Sequence, residues 1–176
     1  MMTPDSFPAE NARAGRCTVS DRTGFLSELR GIAAAFDTRI ICFNADLLAG
    51  RAHAALAVTL AERAFRTGGN ISNSIEMEAL LYAAGSRQCN VAAAFGIRTG
   101  ENRVWICCLP EREGVWAALE SLFQFAGDER DFIGPGKTAV LMQAFAISAE
   151  EVAAAGGEDR ITDLVLERVA LLEVLR

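Results

Sequence analysis

Apolar positions along the chain switch between a period of two and a period near four, and the switches predict its elements. Residues 16–19 and 38–43 read as short strands, the second closing in the Asn44-Ala45-Asp46 turn. Between them Phe25, Leu29, Ile32 and Phe36 recur at helical spacing. From about residue 49 to residue 67 an alanine-rich helix carries Leu56, Leu60 and Ala64 on one side and Ala54, Val58, Ala61 and Phe65 on the next. Gly68-Gly69 ends it, and so many alanines predict close packing on more than one side.

The stretch 70–88, NISNSIEMEALLYAAGSRQ, holds a further helix between two polar clusters. Asn73 and Glu76 have capping-box spacing, which predicts a start at Asn73. Met77, Leu80, Leu81 and Ala84 then share a face, and Gly85 is a left-handed stop that leaves Ser86, Arg87 and Gln88 on an exposed turn. Residues 90–95 form a short helix ended by Gly96. Residues 104–109, VWICCL, are continuously apolar over strand length and suit the interior of a sheet. Residues 113–125 read as a helix; residues 137–145 fit a strand or a helix, with helix favoured because no turn signal separates them from Ser148, which with Glu151 has capping-box spacing. Residues 161–175 are apolar around most of the circumference, as in a helix enclosed by its own domain or shared with a partner. The expected fold is α/β (α+β): a small mixed sheet from residues near 17, 40 and 106, covered by helices, with a helix-rich C-terminal part. One domain is expected over 15–176, after a mobile tail, 1–14, whose two prolines and lack of an apolar segment suit neither signal peptide nor anchor.

Composition narrows the function classes. A chain of 176 residues, 51% hydrophobic and 23% charged, supports one well-formed core. Its net charge of -6 is uneven: residues 1–103 hold eleven Lys/Arg against ten Asp/Glu, and the remainder six against thirteen. The acidic half is a poor nucleic-acid surface and no DNA is expected, but the first half, whose basic residues are all Arg, can carry a local anion-binding patch. Five cysteines without a C-x-x-C pair suggest reduced thiols in a cytoplasmic setting. No uncharged run approaches membrane-spanning length, so no membrane is expected.

Catalytic constellations are lacking. The single histidine, His53, sits mid-helix with no ligand-spaced Cys or carboxylate, so no metal and no cofactor is expected. Ile133-Gly134-Pro135-Gly136-Lys137-Thr138 ends like a phosphate-binding loop, but Asp131 stands where its first glycine belongs. Cys107 and Cys108 would point to opposite faces of a strand. Glu76 and Glu78 face different directions on a helix; Glu76 suits a cap, and Glu78 the orienting of a neighbouring polar group or backbone amide. Binding needs less: the amides and hydroxyls of 70–74, the Arg87 fork, the Gln88 amide, and Arg51 and Arg66 on the preceding helix could hold an anion, with Ile71 as a stacking floor. Capping residues and solvated arginines account for the same spacing.

Glu78-Ala79-Leu80-Leu81-Tyr82, the Ser86-Arg87-Gln88 turn and Phe95-Gly96-Ile97 resemble, in order and spacing, the accessory subunit of the KEOPS complex, the family of the p53-related-kinase-binding protein. Phe43-Asn44-Ala45-Asp46, Ala49-Gly50-Arg51 and the closing Leu166-Glu167-Arg168-Val169-Ala170-Leu171-Leu172 are similar too, so the likeness spans most of 38–174. The Arg-Gln turn looks like the archaeal branch, although Cys89 stands where a branched aliphatic is expected. The resemblance implies a non-catalytic subunit of the assembly that makes threonylcarbamoyl-adenosine in tRNA. Such a subunit binds the atypical kinase/ATPase subunit and grips the single-stranded 3' CCA end. Asn70, Ile71, Ser72, Asn73, Arg87 and Gln88, with Arg51 and Arg66, are then the expected tRNA contacts, and Leu164 and Leu172 candidate kinase contacts. A small cytoplasmic ligand-binding domain or thiol enzyme using Cys42 or Cys89 is the alternative, and a homodimeric scaffold a third.

Overall fold

The apolar run at 104–109 shows no alternation because it lies in the middle of a sheet covered on both faces. In this computed structural model, which describes residues 5–127 and 131–175, the strands are β1 (Arg13–Val19), β2 (Arg39–Asn44), β3 (Gly100–Leu109) and β4 (Gln124–Phe125). Their order is β2-β3-β1-β4. Every pairing among the described residues is antiparallel, so the expected mixed sheet is corrected to an antiparallel one. Alternate β3 residues serve two cores: Trp105 and Cys107 join one, Val104, Ile106 and Cys108 the other. Cys107 and Cys108 thus face opposite ways, as strand geometry requires.

The smaller core lies under α1 (Arg22–Ala35) and α5 (Val115–Leu119). The larger lies under α2 (Gly50–Thr67), α3 (Ile75–Ala84), α4 (Cys89–Ala93), α6 (Pro135–Ala144), α7 (Ala149–Ala155) and α8 (Ile161–Val174). The result is a three-layer α/β fold with a helix-rich C-terminal part. The alanines of α2 do what their size permits: Ala54, Ala57, Ala61 and Ala64 are buried, and the helix packs against α3, α8, β3 and a turn at Ala9–Asn11. Gly50 opens α2 at φ +78, where a Cβ would stand 2.5 Å from the Asp131 carboxylate. No single helix among the described residues is long and apolar enough to cross a membrane.

Three further expectations change. Residues 113–125 are not one helix: α5 stops at Leu119, and Gln124 and Phe125 pair with Arg16 and Gly15 of β1. Part of the expected tail is docked, since Phe7 is buried and its N–H donates to Thr59 Oγ1 at 2.9 Å; residues 1–4 lie outside the described residues. The wide apolar girth of α8 resolves into a buried stripe, Ile161, Val165, Val169 and Leu172, and an exposed end, Leu171, Val174 and Leu175. Leu172 is therefore a core residue rather than a surface contact, while Leu164 packs half-buried against the same core.

Candidate nucleic-acid interface

α3 and its two flanks carry most of the candidate residues. The helix starts one residue later than expected: Ser74, not Asn73, is the N-cap, its Oγ accepting from Met77 N–H at 3.2 Å. Glu76 is not the reciprocal cap partner; it lies 3.7 Å from Arg39. Gly85 ends the helix in the left-handed conformation at φ +61, as its position predicts.

Glu78 decides the shape of the loop before α3. Its side chain is fully buried and accepts from Ile71 N–H at 3.1 Å and from Ser72 N–H at 2.9 Å, with Ser72 Oγ also 2.9 Å away. Asn70 Nδ2 donates to Ser72 O at 2.9 Å, closing the loop on itself. The role of orienting backbone amides is the one foreseen for Glu78, but its consequence runs against the anion-cradle expectation. The Ile71 and Ser72 amides already serve a carboxylate, so they are not a cradle for an external phosphate. What the clasped loop offers outward is side chains: Asn73 and Ile71 are exposed, Ile71 at 43%.

The far end of α3 is tied by His53. Ala49 N–H donates to Nδ1 at 3.0 Å, so that nitrogen carries no proton, and Nε2–H donates to Ala83 O at 2.9 Å. Burial holds the imidazole pKa down, to about 4, with Lys137 adding to the effect and the Ala83 bond opposing it. A buried neutral ring with both nitrogens engaged is a brace between helices. Because His53 near the start of α2 meets Ala83 near the end of α3, the two helices run antiparallel.

That arrangement sorts the candidates into two groups. Arg66 and 70–73 lie at one end of the helix pair; Arg51, Arg87 and Gln88 lie at the other, about 15 Å away along the ten residues of α3. They do not form one pocket. Arg51 is committed internally, with Nε 2.6 Å from Asp131 Oδ2, its N–H 2.7 Å from Asp131 Oδ1, and its guanidinium over the Trp105 ring. Arg66 reaches Asp5 at 3.7 Å from an exposed position. Arg87 and Gln88 are exposed, the Gln88 N–H donating to Ser86 Oγ, and Arg87 has no ion pair among the described residues. Sequence reading missed the Arg51–Asp131 pair and the His53 brace, whose partners lie 80 and 30 residues away and leave no local pattern.

Other chemistry is limited. Cys42 is buried, and burial first, then the nearby Cys17, Cys107 and Cys108, push its thiol well above the ordinary range, so it is a poor thiolate. Cys17 is pushed up to about 11 by burial. Among the described residues no group of three or more His, Cys, Asp or Glu could hold a metal ion. No protein-family model matches the chain, and comparison with curated proteins gives no significant match.

Proposed function

We propose that the chain is a non-catalytic accessory subunit of the KEOPS tRNA-modification assembly, acting in the cytoplasm, that binds the single-stranded 3' CCA end of tRNA and the assembly's kinase/ATPase subunit. The observation that carries the reading is the loop 70–74, held in shape by the buried Glu78 while Ile71 stands exposed at its surface. An exposed apolar side chain on a fixed loop is a platform on which an unpaired base can lie. At the other end of α3 the Arg87 guanidinium and the Gln88 amide supply donors to phosphate or base edges. The separation of about 15 Å suits an extended strand of several nucleotides better than one bound group.

For the kinase subunit, the exposed end of α8 is the better support. Leu171, Val174 and Leu175 are 39%, 77% and 71% exposed, an apolar cluster at the end of a helix whose other face is in the core. The test is the affinity of the full chain for intact tRNA and for tRNA trimmed of its CCA end. Intact tRNA is expected to bind about tenfold or more tightly, on the order of one charge-assisted contact plus stacking. Equal affinity for the two would overturn the reading.

A further inference from the structure

β2 is the last strand of the sheet on its side, and its free edge lies at the bottom of a groove of about 720 Å³ between α1 and α3. Backbone direction along this edge is fixed at both ends. Thr38 N–H donates to Ala33 O at 2.9 Å and Asn44 N–H to Phe95 O at 2.7 Å, both away from β3. Amides alternate along a strand, so the N–H and C=O groups of Ile40 and Cys42 point the same way, and no described residue accepts from these amides. Ile40 and Cys42 send their side chains to one core and Ile41 to the other, yet all three line the groove. What they share there is the strand edge.

The walls differ in chemistry. On the α1 side Arg22, Leu26 and Arg30 follow at four-residue spacing, placing the two arginines about 12 Å apart. Among the described residues Arg30 is exposed with no ion pair, and Arg22 donates through Nε alone, to Ile97 O at 2.9 Å. The carboxylates lining the groove are already engaged, Asp37 by Arg112 at 3.3 Å and Glu76 by Arg39 at 3.7 Å. The α3 side offers the apolar Met77 and Leu80.

We propose that this groove takes an extended peptide segment of a partner protein as a fifth strand beside β2, with acidic side chains toward Arg22 and Arg30 and apolar ones toward Met77 and Leu80. Strand addition supplies main-chain bonds for affinity and alternate side chains for specificity. Acidic residues four apart on an extended strand are about 13 Å apart, matching the two arginines. The peptide N–H and C=O groups recur about every 7 Å on one edge, the repeat that Ile40 and Cys42 present; a nucleic-acid backbone offers phosphate acceptors but no N–H donors for the β2 carbonyls.

The probe is the capped, fluorescently labelled peptide Asp-Val-Leu-Val-Asp, titrated against the full chain by anisotropy. Two derivatives carry N-methyl groups, one on the amides of its odd positions and one on those of its even positions. Saturable binding is expected, weakened about tenfold or more by one methylation pattern and unchanged by the other, because only one edge of an added strand faces β2. Arg30→Glu, at an exposed position, is expected to weaken binding about fivefold or more with an unchanged circular dichroism spectrum. The proposal is overturned by an absence of saturable binding, by equal affinity of both methylated peptides, or by a single-stranded RNA hexamer that binds in an Arg30-dependent way where the peptide does not.

Discussion

At its N-terminal end α3 holds the loop before it through Glu78, a carboxylate of the helix itself; at its C-terminal end it is held by His53, a neutral ring from α2. The difference follows from what each end lacks. A chain turning into a helix presents surplus N–H groups and needs an acceptor, whereas a helix ending presents surplus carbonyls and needs a donor. Glu78 supplies acceptors to Ile71 and Ser72. His53 supplies one donor to Ala83 and, through its bare nitrogen, one acceptor to Ala49 at the start of α2. The first device shapes a surface loop; the second fastens two helices to each other.

The largest effect is expected from removing the acceptor. Glu78→Ala leaves the Ile71 and Ser72 amides without their partner and should cost about 3 kcal/mol in urea unfolding. It should also abolish tRNA binding if the loop's shape matters to it. A loss under about 1 kcal/mol would mean that water replaces the carboxylate without difficulty.

The brace should show itself through pH. His53 has a folded-state pKa of about 4 against an ordinary 6.5, so the folded chain binds fewer protons between those values. Its contribution is complete above about pH 6.5 and is lost as pH falls toward 4, reaching on the order of 2 kcal/mol at pH 5. Urea unfolding of the parent and of His53→Gln at several pH values isolates this share from the carboxylates, and parallel curves for the two proteins would contradict it.

A smaller effect is confined to binding. Arg87→Ala should weaken intact tRNA by about 1.5 kcal/mol, roughly tenfold, and leave the melting temperature unchanged. A change in stability instead would make Arg87 part of the scaffold. Smallest is the cap: Ser74→Ala should cost about 1 kcal/mol and Asn73→Ala less than about half of that, an order that reverses if Asn73 is the capping residue after all.

Where partners are near in sequence, the chain was legible. The face of α1, the span of α2 up to Gly68, the Gly85 stop and the Ser148 capping box all appear as read, the last with both of its reciprocal bonds. The cap at Ser74 was ambiguous because two residues with similar side chains stand in adjacent places. β4 was not legible: two residues gain their strand identity only from Gly15 and Arg16, more than a hundred residues away, and locally continue the pattern of α5. Phe7 gave no periodicity among polar neighbours, so its burial was hidden. For the candidate site, sequence gave Glu78 a fitting task. It gave no sign that the amides so engaged are withdrawn from any external anion, nor that Asp131 takes Arg51.

The enclosure of α2 has a consequence for how the chain falls apart. It is bounded by β3 and α3, by α8 from the acidic half, and by the turn at Ala9–Asn11 near the start of the chain. Its small side chains leave no layer that a missing neighbour could expose harmlessly. Residues of both halves therefore enclose α2, and loss of either would uncover part of it.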